Sequence, residues 1–421
     1  MARRRDALAS VLREADVGHV VVYGANRAGS AVQWLTGWSV TREAAVVHGI
    51  DEVDVLLVNF FNHVPQAQRV ARAAEVRWAG PDTVASVLEE LRGRGALSGG
   101  RVGVIGPLPF RAYDGLRDAA GSVVDLNPAY NRLRTVKSAE ELAWLRRSAE
   151  LTDLSCAALR DGAGPGSSEY ELNALVEGSY LPLGGSNYIH YFSITSMDRP
   201  QQCVPSQWPS GRRLRAGDVL SCELSTSYGV DYPGQLLRTF TVAAEPTALY
   251  RELHDVAEEA LRRIEAILAP GVTPAQVVEA AAVIEDAGFT TVDDLVHGLG
   301  GGYLQPVFGS RSRTLEPLPS LAFEDGMTVV VQPNVTTTDG ARRCADRRAA
   351  ARHRRRLRTA ARLPARARPH RLIADPALRR LRNPSSRGFG RSPSTSTTCR
   401  VPGRARPRPG SPRCRWWPRG R

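Results

Sequence analysis

The chain changes character after Gly340, and that break limits how much of it can fold as one body. From Ala341 onward it carries 26 arginines, no lysine and only Asp346 and Asp375 as acids, a formal +24 over 81 residues. The preceding 340 residues hold 30 basic against 41 acidic side chains, or −11. The overall +13 therefore joins a mildly acidic body to an extremely basic tail. The tail is rich in Arg, Pro and Ser, lacks sustained apolar periodicity, and is expected to be disordered.

Two readings of this tail compete. As a nucleic-acid arm, its arginines would neutralise phosphates while Trp416 and Trp417 stacked on bases. As the product of a shifted reading frame in a GC-rich gene, it would be Arg-, Pro- and Ala-rich for reasons unrelated to selection. Codons for residues 341–357 can be chosen so that reading one base later gives RGVAQTGELLLVTDDG, a strand followed by a turn. The switch also follows "VVVQPNVTTTDG", an ordinary strand and turn, as though a core element were cut short. The frameshift reading is preferred, and a nucleic-acid partner is not expected.

The body has room for two domains and a large core. Its first 128 residues alternate helical and strand-like segments: "RRDALASVLREADVG", "HVVVYG", "AAVVHG", "DVLLVNF", "QAQRVARAAEV", "TVASVLEELRGRG" and "RVGVIG". That alternation predicts an α/β layer. "VVDLNPAYNRLRTVKS" reads as a connector broken at Pro128. Ser138 and Glu141 have the spacing of a capping box for the long helix "AEELAWLRRSAELTDLSCAALRDGA", and a second helix follows Ser168. Beyond lie a strand-rich stretch over 188–243, two more helical segments up to Gly288, and strands to 335.

The six cysteines are scattered without CxxC spacing, as expected of free thiols in a reducing compartment. Arg13, Glu14 and Asp16 interrupt any apolar leader, and no run approaches the roughly 20 apolar residues of a membrane span. A cytoplasmic protein without membrane contact is expected.

"NRLRTVKSAEELAWLRRSAELTD" resembles the interdomain junction of the creatinase/Xaa-Pro aminopeptidase family, the pita-bread fold. "RRLRAGDVLSCEL", "GQLLRTFTV", "HGLGGGYLQP" and "FEDGMTVVVQPNV" match further family segments in order. The resemblance implies an α/β N-terminal domain over 1–128 and an α+β pita-bread domain over 129–340, truncated before the tail of 341–421. It also implies a homodimer and a small-molecule or short-peptide substrate.

Metallopeptidases of this family hold two divalent ions, such as Mn or Co, with Asp, Asp, His, Glu and Glu. Carried over by position, the first Asp becomes Glu223, the second Gln235, the His is kept as His297, and the first Glu becomes Gln332. The last position lies beyond Asp339, and a second family histidine corresponds to Leu304. A substrate-side histidine corresponds to Ser206, with His190 nearby in sequence. Two adjacent divalent ions need anionic bridging oxygens, and a glutamine offers a neutral oxygen and an N–H donor that faces cations unfavourably. The resemblance therefore implies that the metallopeptidase mechanism is lost and that no metal cofactor is required.

Creatinase has this fold and hydrolyses a C–N bond without metal. By that resemblance, His297 or His190 would serve as base, Glu223 would orient the imidazole or bind a cationic group, and Gln235, Gln305, Gln332 and Ser206 would line the substrate. His190 lies among alternating aromatics in "SNYIHYFSITSM" and is equally placed for strand packing. Cys222 reads as a small buried residue rather than a nucleophile. The expected activity is metal-independent hydrolysis of a small amide, guanidino or amino-acid-like compound. An inactive ligand-binding protein and a residual metallo-aminopeptidase of Xaa-Pro dipeptidase type are the alternatives.

Overall fold

The computed structural model describes residues 2–25, 30–229, 231–314, 317–340, 343–345, 347–353, 356–359 and 370–372. The N-terminal half begins with α1 (Ala2–Glu14), β1 (His19–Ala25), α2 (Ala31–Thr36), β2 (Glu43–Gly49) and β3 (Asp54–Val58). It continues through α3 (Val64–Val70), β4 (Ala74–Trp78), α4 (Thr83–Gly93), β5 (Arg101–Ile105), α5 (Phe110–Ala119) and β6 (Ser122–Asp125). These strands form one mixed sheet in the order β4-β3-β2-β1-β5-β6. Val20, Val22, Val46 and Leu56 bury one face with Leu8, Leu12 and Leu35, whereas Val21, Val47, Leu57 and Val104 bury the other with Leu91 and Leu116. Near-continuous apolar strands such as "VVV" and "VLLV" belong to such a two-sided layer, as the α/β expectation required.

Two local expectations need correction. "QAQRVARAAEV" is not one helix: α3 stops at Val70, and Ala74–Trp78 is the edge strand β4, paired in parallel with β3. Its β-branched valine and tryptophan satisfy an open sheet edge better than another helical turn. Pro128 does not break structure either. It stands in the first turn of α6 (Asn127–Thr135), where its missing N–H costs no helical bond.

The second half opens on α7 (Ala139–Gly162) and α8 (Glu169–Tyr180), both started by reciprocal Ser–Glu capping boxes, at Ser138/Glu141 and Ser168/Glu171. Then come β7 (Ser186–Ser196), β8 (Asp218–Ser227) and β9 (Leu236–Val242), an antiparallel meander. Next are α9 (Ala248–Ile267), α10 (Pro274–Ala280), α11 (Val283–Asp286), β10 (Thr290–Thr291), β11 (Val296–Leu299), β12 (Tyr303–Phe308), β13 (Thr328–Val331) and β14 (Asn334–Thr336). Leu151, Leu172, Val176 and Tyr180 of α7 and α8 pack on Phe192, Cys222, Leu224 and Phe240. In the same way, Leu253, Ala257, Leu261 and Ile264 of α9 pack on Val296, Val329 and Val331. Each half of the sheet thus spends one face on helices and leaves the alternate residues for the opposite face.

The sheet does not stop at Gly340. The backbone continues as β15 (Arg343–Ala345), β16 (Arg347–His353), β17 (Arg356–Thr359) and β18 (His370–Leu372). Strand β16 pairs antiparallel with both β13 and β9, joining the two halves in the order β12-β11-β13-β16-β9-β8-β7. Cys344 is buried among the α9 core residues. The expectation of disorder from residue 341 is therefore corrected over these segments: open edges of β13 and β9 recruit a partner whatever its side-chain pattern. The rest of the tail, including Trp416 and Trp417, lies outside the described residues. Among the described residues, no helix is long and apolar enough to cross a membrane.

Candidate active site

Strand alternation decides which predicted residues meet. On β8, Leu220, Cys222 and Leu224 point into the α7–α8 core, so Glu223 lies on the opposite face. Gln235 immediately precedes β9, and its Nε2 donates to Glu223 Oε1 at 2.8 Å. A carboxylate only accepts, so this contact fixes the amide's orientation and turns Gln235 Oε1 away from Glu223. Gln235 Oε1 is buried and has no hydrogen-bond partner. Tyr191 sits opposite Glu223 in the β7–β8 register, and burial together with the Glu223 charge pushes its hydroxyl pKa upward.

The other half contributes His297 and Gln332. In the β11–β13 register His297 pairs with Val330, while Val296, Val329 and Val331 belong to the α9 core. His297 and Gln332, two residues beyond Val330, therefore share the face turned from the helices. His297 is fully buried, its Nδ1 lies 2.9 Å from the Gly298 carbonyl, and its ring stacks on Tyr303 at 4.2 Å. A carbonyl can only accept, so Nδ1 carries a proton and donates it to Gly298. The Gln332 backbone N–H bonds to the Leu295 carbonyl at 2.9 Å, and its buried Oε1 has no partner.

Three predicted residues do not join this arrangement. His190 shares a face with Phe192 and Ile194, packs edge-on against Tyr180 and takes a 2.8 Å hydrogen bond between Nε2 and the Tyr180 hydroxyl. It is a core residue of the α8 side, away from the Glu223 face. Burial pushes its imidazole pKa down to about 4. Gln305 is exposed, and its Oε1 accepts from the Val307 N–H two residues on. Ser206 is also exposed and uses its backbone N–H to bridge to the Phe192 carbonyl. Cys222 is buried and its thiol pKa is raised by desolvation, as befits a packing residue.

The His190 environment predicts a pH effect on stability. Its folded pKa lies below the ordinary 6.5, so the unfolded chain binds the extra proton between these values. Stability present above pH 6.5 is lost as the pH falls towards 4, by about 3 kcal/mol from this residue. In denaturant titrations, His190→Leu is expected to flatten that acid slope without abolishing turnover. An unchanged slope, or a loss of turnover as large as that from altering His297, would contradict this assignment.

Among the described residues, no cluster of three or more His, Cys, Asp or Glu side chains is arranged to hold a metal ion. Glu223 with Gln235 on one half of the sheet, and His297 with Gln332 on the other, lie on the face turned from the helices. One signal for the misplaced His190 was available: its two-residue spacing from Phe192 and Ile194 puts it on the apolar face.

Residues 143–355 match metallopeptidase family M24. The Xaa-Pro aminopeptidase of Escherichia coli is 26% identical over 240 residues, covering 52% of this chain and 54% of that protein. The Xaa-Pro dipeptidase of Pyrococcus furiosus is 21% identical over 237 residues, 56% of this chain and 66% of that protein. The chain thus spans about half to two thirds of the length of these curated relatives. Among solved structures, the prolidase from Pyrococcus furiosus superposes with a TM-score of 0.71 at 16% identity, over 85% of this chain and 99% of that one. Dipeptidase PepE from Mycobacterium ulcerans gives 0.71 at 22% identity, over 89% and 97%. These structural likenesses establish the pita-bread fold.

Proposed function

The chain belongs to metallopeptidase family M24, and from that premise we propose that it hydrolyses a C–N bond in a small amide, guanidino or amino-acid-like substrate without a metal ion. The observation that carries this reading is the Gln235–Glu223 hydrogen bond with its consequence for Gln235 Oε1. At the first two ligand positions of the family, a carboxylate is held by an amide N–H donor rather than facing a second carboxylate. Glu223, Gln235, Gln332 and His297 together supply no more than one negative charge, which does not fit two adjacent divalent cations. They do supply hydrogen-bond acceptors. Glu223 and the oxygens of Gln235 and Gln332 suit a substrate rich in N–H groups, because a buried acceptor left unsatisfied costs about 1–3 kcal/mol.

In the proposed reaction His297 Nε2 takes a proton from water as the water oxygen bonds to the substrate carbon. The C–N bond then breaks, and the imidazolium returns the proton to the leaving nitrogen. Gln235 keeps Glu223 oriented, and the amide oxygens hold the substrate N–H groups through the step. Incubating the purified chain with a panel of small amides, guanidino acids and Xaa-Pro dipeptides tests the assignment. Release of ammonia or amine from the first two classes, with proline peptides untouched, is the expected result. The reverse preference would support a metallo-aminopeptidase, the reading favoured by the similarity to the Escherichia coli Xaa-Pro aminopeptidase.

A further inference from the structure

The N-terminal sheet ends on a strand whose outer side is open. β4 is the last strand in the order β4-β3-β2-β1-β5-β6, and its outer side meets no further strand among the described residues. It pairs in parallel with β3, and the Ala79 N–H just beyond it bonds to the Val58 carbonyl at 2.9 Å. Peptide groups alternate in direction along a strand, so Glu75 and Arg77, like Ala79, turn their N–H and C=O groups towards β3. Ala74, Val76 and Trp78 turn theirs outward. Only the Ala74 N–H of that outer row is satisfied locally, by the Ala71 carbonyl at 3.0 Å. Such a row of backbone groups is a template for another strand.

Apolar surface flanks this edge. Trp78 is 51% exposed and meets Phe61, 71% exposed, edge to face with ring centroids 6.3 Å apart. Phe60 and Val70, on the segment leading from β3 to β4, are exposed as well. Large apolar residues grouped at the surface mark a place where another chain docks.

The edge side chains identify the strand that fits. Edge strands are commonly blunted by charge, but β4 carries one charge of each sign, Glu75 and Arg77, both about half exposed. In antiparallel pairing with a second copy about a two-fold axis at Val76, Glu75 of each chain falls opposite Arg77 of the other. Those are the non-hydrogen-bonded positions, where opposed side chains stand closest. Val76 then exchanges both backbone bonds with Val76 of the second copy, and each Trp78 N–H meets the Ala74 carbonyl opposite. The large indole thereby lies across from a small side chain. Moving the axis to Glu75 or to Arg77 would oppose like charges and turn the inward backbone groups to the wrong side.

We infer that the β4 edge is a docking surface for a second copy of this chain, paired antiparallel about Val76 with two reciprocal Glu75–Arg77 contacts. The inference is independent of the chemistry proposed above.

Sedimentation of the full-length protein across a concentration series tests it. Wild type is expected to self-associate into dimers. Glu75→Arg and Arg77→Glu should each weaken that association by at least about tenfold, because both cross-strand contacts become like-charged. An equimolar mixture of the two variants should associate again, since the arginines of one then oppose the glutamates of the other. Exposed ion pairs contribute little to folding, so the melting temperatures of both variants should stay near that of wild type. Val76→Pro, which serves if a charge reversal does not fold, removes the outward N–H without touching the ladder to β3 and should also weaken association. A wild-type chain that stays monomeric throughout the series would overturn the inference. So would association undiminished in the variants, which would place a dimer contact elsewhere, or a mixture that associates no better than either variant alone.

Discussion

Replacing His297 by asparagine is expected to lower turnover by about 10²–10⁴-fold, the range general-base catalysis usually supplies. Asparagine can still offer an N–H donor to the Gly298 carbonyl, the bond that His297 Nδ1 makes at 2.9 Å. It has no basic nitrogen, so only the proton-accepting role of Nε2 is removed. Because Glu223, Gln235 and Gln332 are untouched, substrate affinity should change by far less than the rate. Single-turnover and steady-state rates, with affinity measured separately, check this split. A variant that keeps wild-type turnover would remove His297 from the chemistry. A variant that loses affinity and rate together would make it a binding residue.

The second large effect is a gain. Changing Gln235 to Asp and Gln332 to Glu adds two negative charges where the family places metal carboxylates. At about 4 Å and an effective dielectric near 20, each charge pair is worth roughly 4 kcal/mol before desolvation. The double variant is therefore expected to bind Mn²⁺ at least about 100-fold more tightly than wild type. Without metal, Asp at 235 would face Glu223 in place of the amide N–H that now satisfies it at 2.8 Å. The melting temperature of the variant should accordingly fall in chelator and rise with Mn²⁺, while wild type responds to neither. Equal Mn²⁺ affinity in both proteins would mean that the glutamines do not determine metal use.

Sequence alone carried the fold far because its signals were redundant. The apolar strand runs of residues 19–58, the Ser138/Glu141 cap and the ordered segments around Glu223, Gln235, His297 and Gln332 all agree with one architecture, and the structure has it. Single signals were less secure. Proline both breaks helices and starts them, and at position 128 only the surrounding fold decides. "AAEV" has helical composition, but it lies at an open sheet edge that takes it as β4. His190 looked like a candidate base because residue type was weighed above strand phase.

Within the site, the Glu223–Gln235 pair was legible as a hairpin, but the direction of its hydrogen bond was not. That direction, set by the acceptor-only carboxylate, decides that Gln235 presents an oxygen. The strands after Gly340 were hidden for a related reason. Backbone pairing with β13 and β9 leaves no mark in an Arg- and Ala-rich sequence.

The central claim, that this family member works through His297 and an amide-held Glu223 rather than through metal, meets its most direct test in one preparation. Metal content per chain would be measured by elemental analysis before and after exhaustive chelation, with turnover of the best small amide or guanidino substrate followed on the same samples. The account predicts far less than one divalent ion per chain and turnover unaffected by chelation. Two equivalents of Mn, Co or Zn, with hydrolysis lost on chelation and restored by the ion, would contradict it.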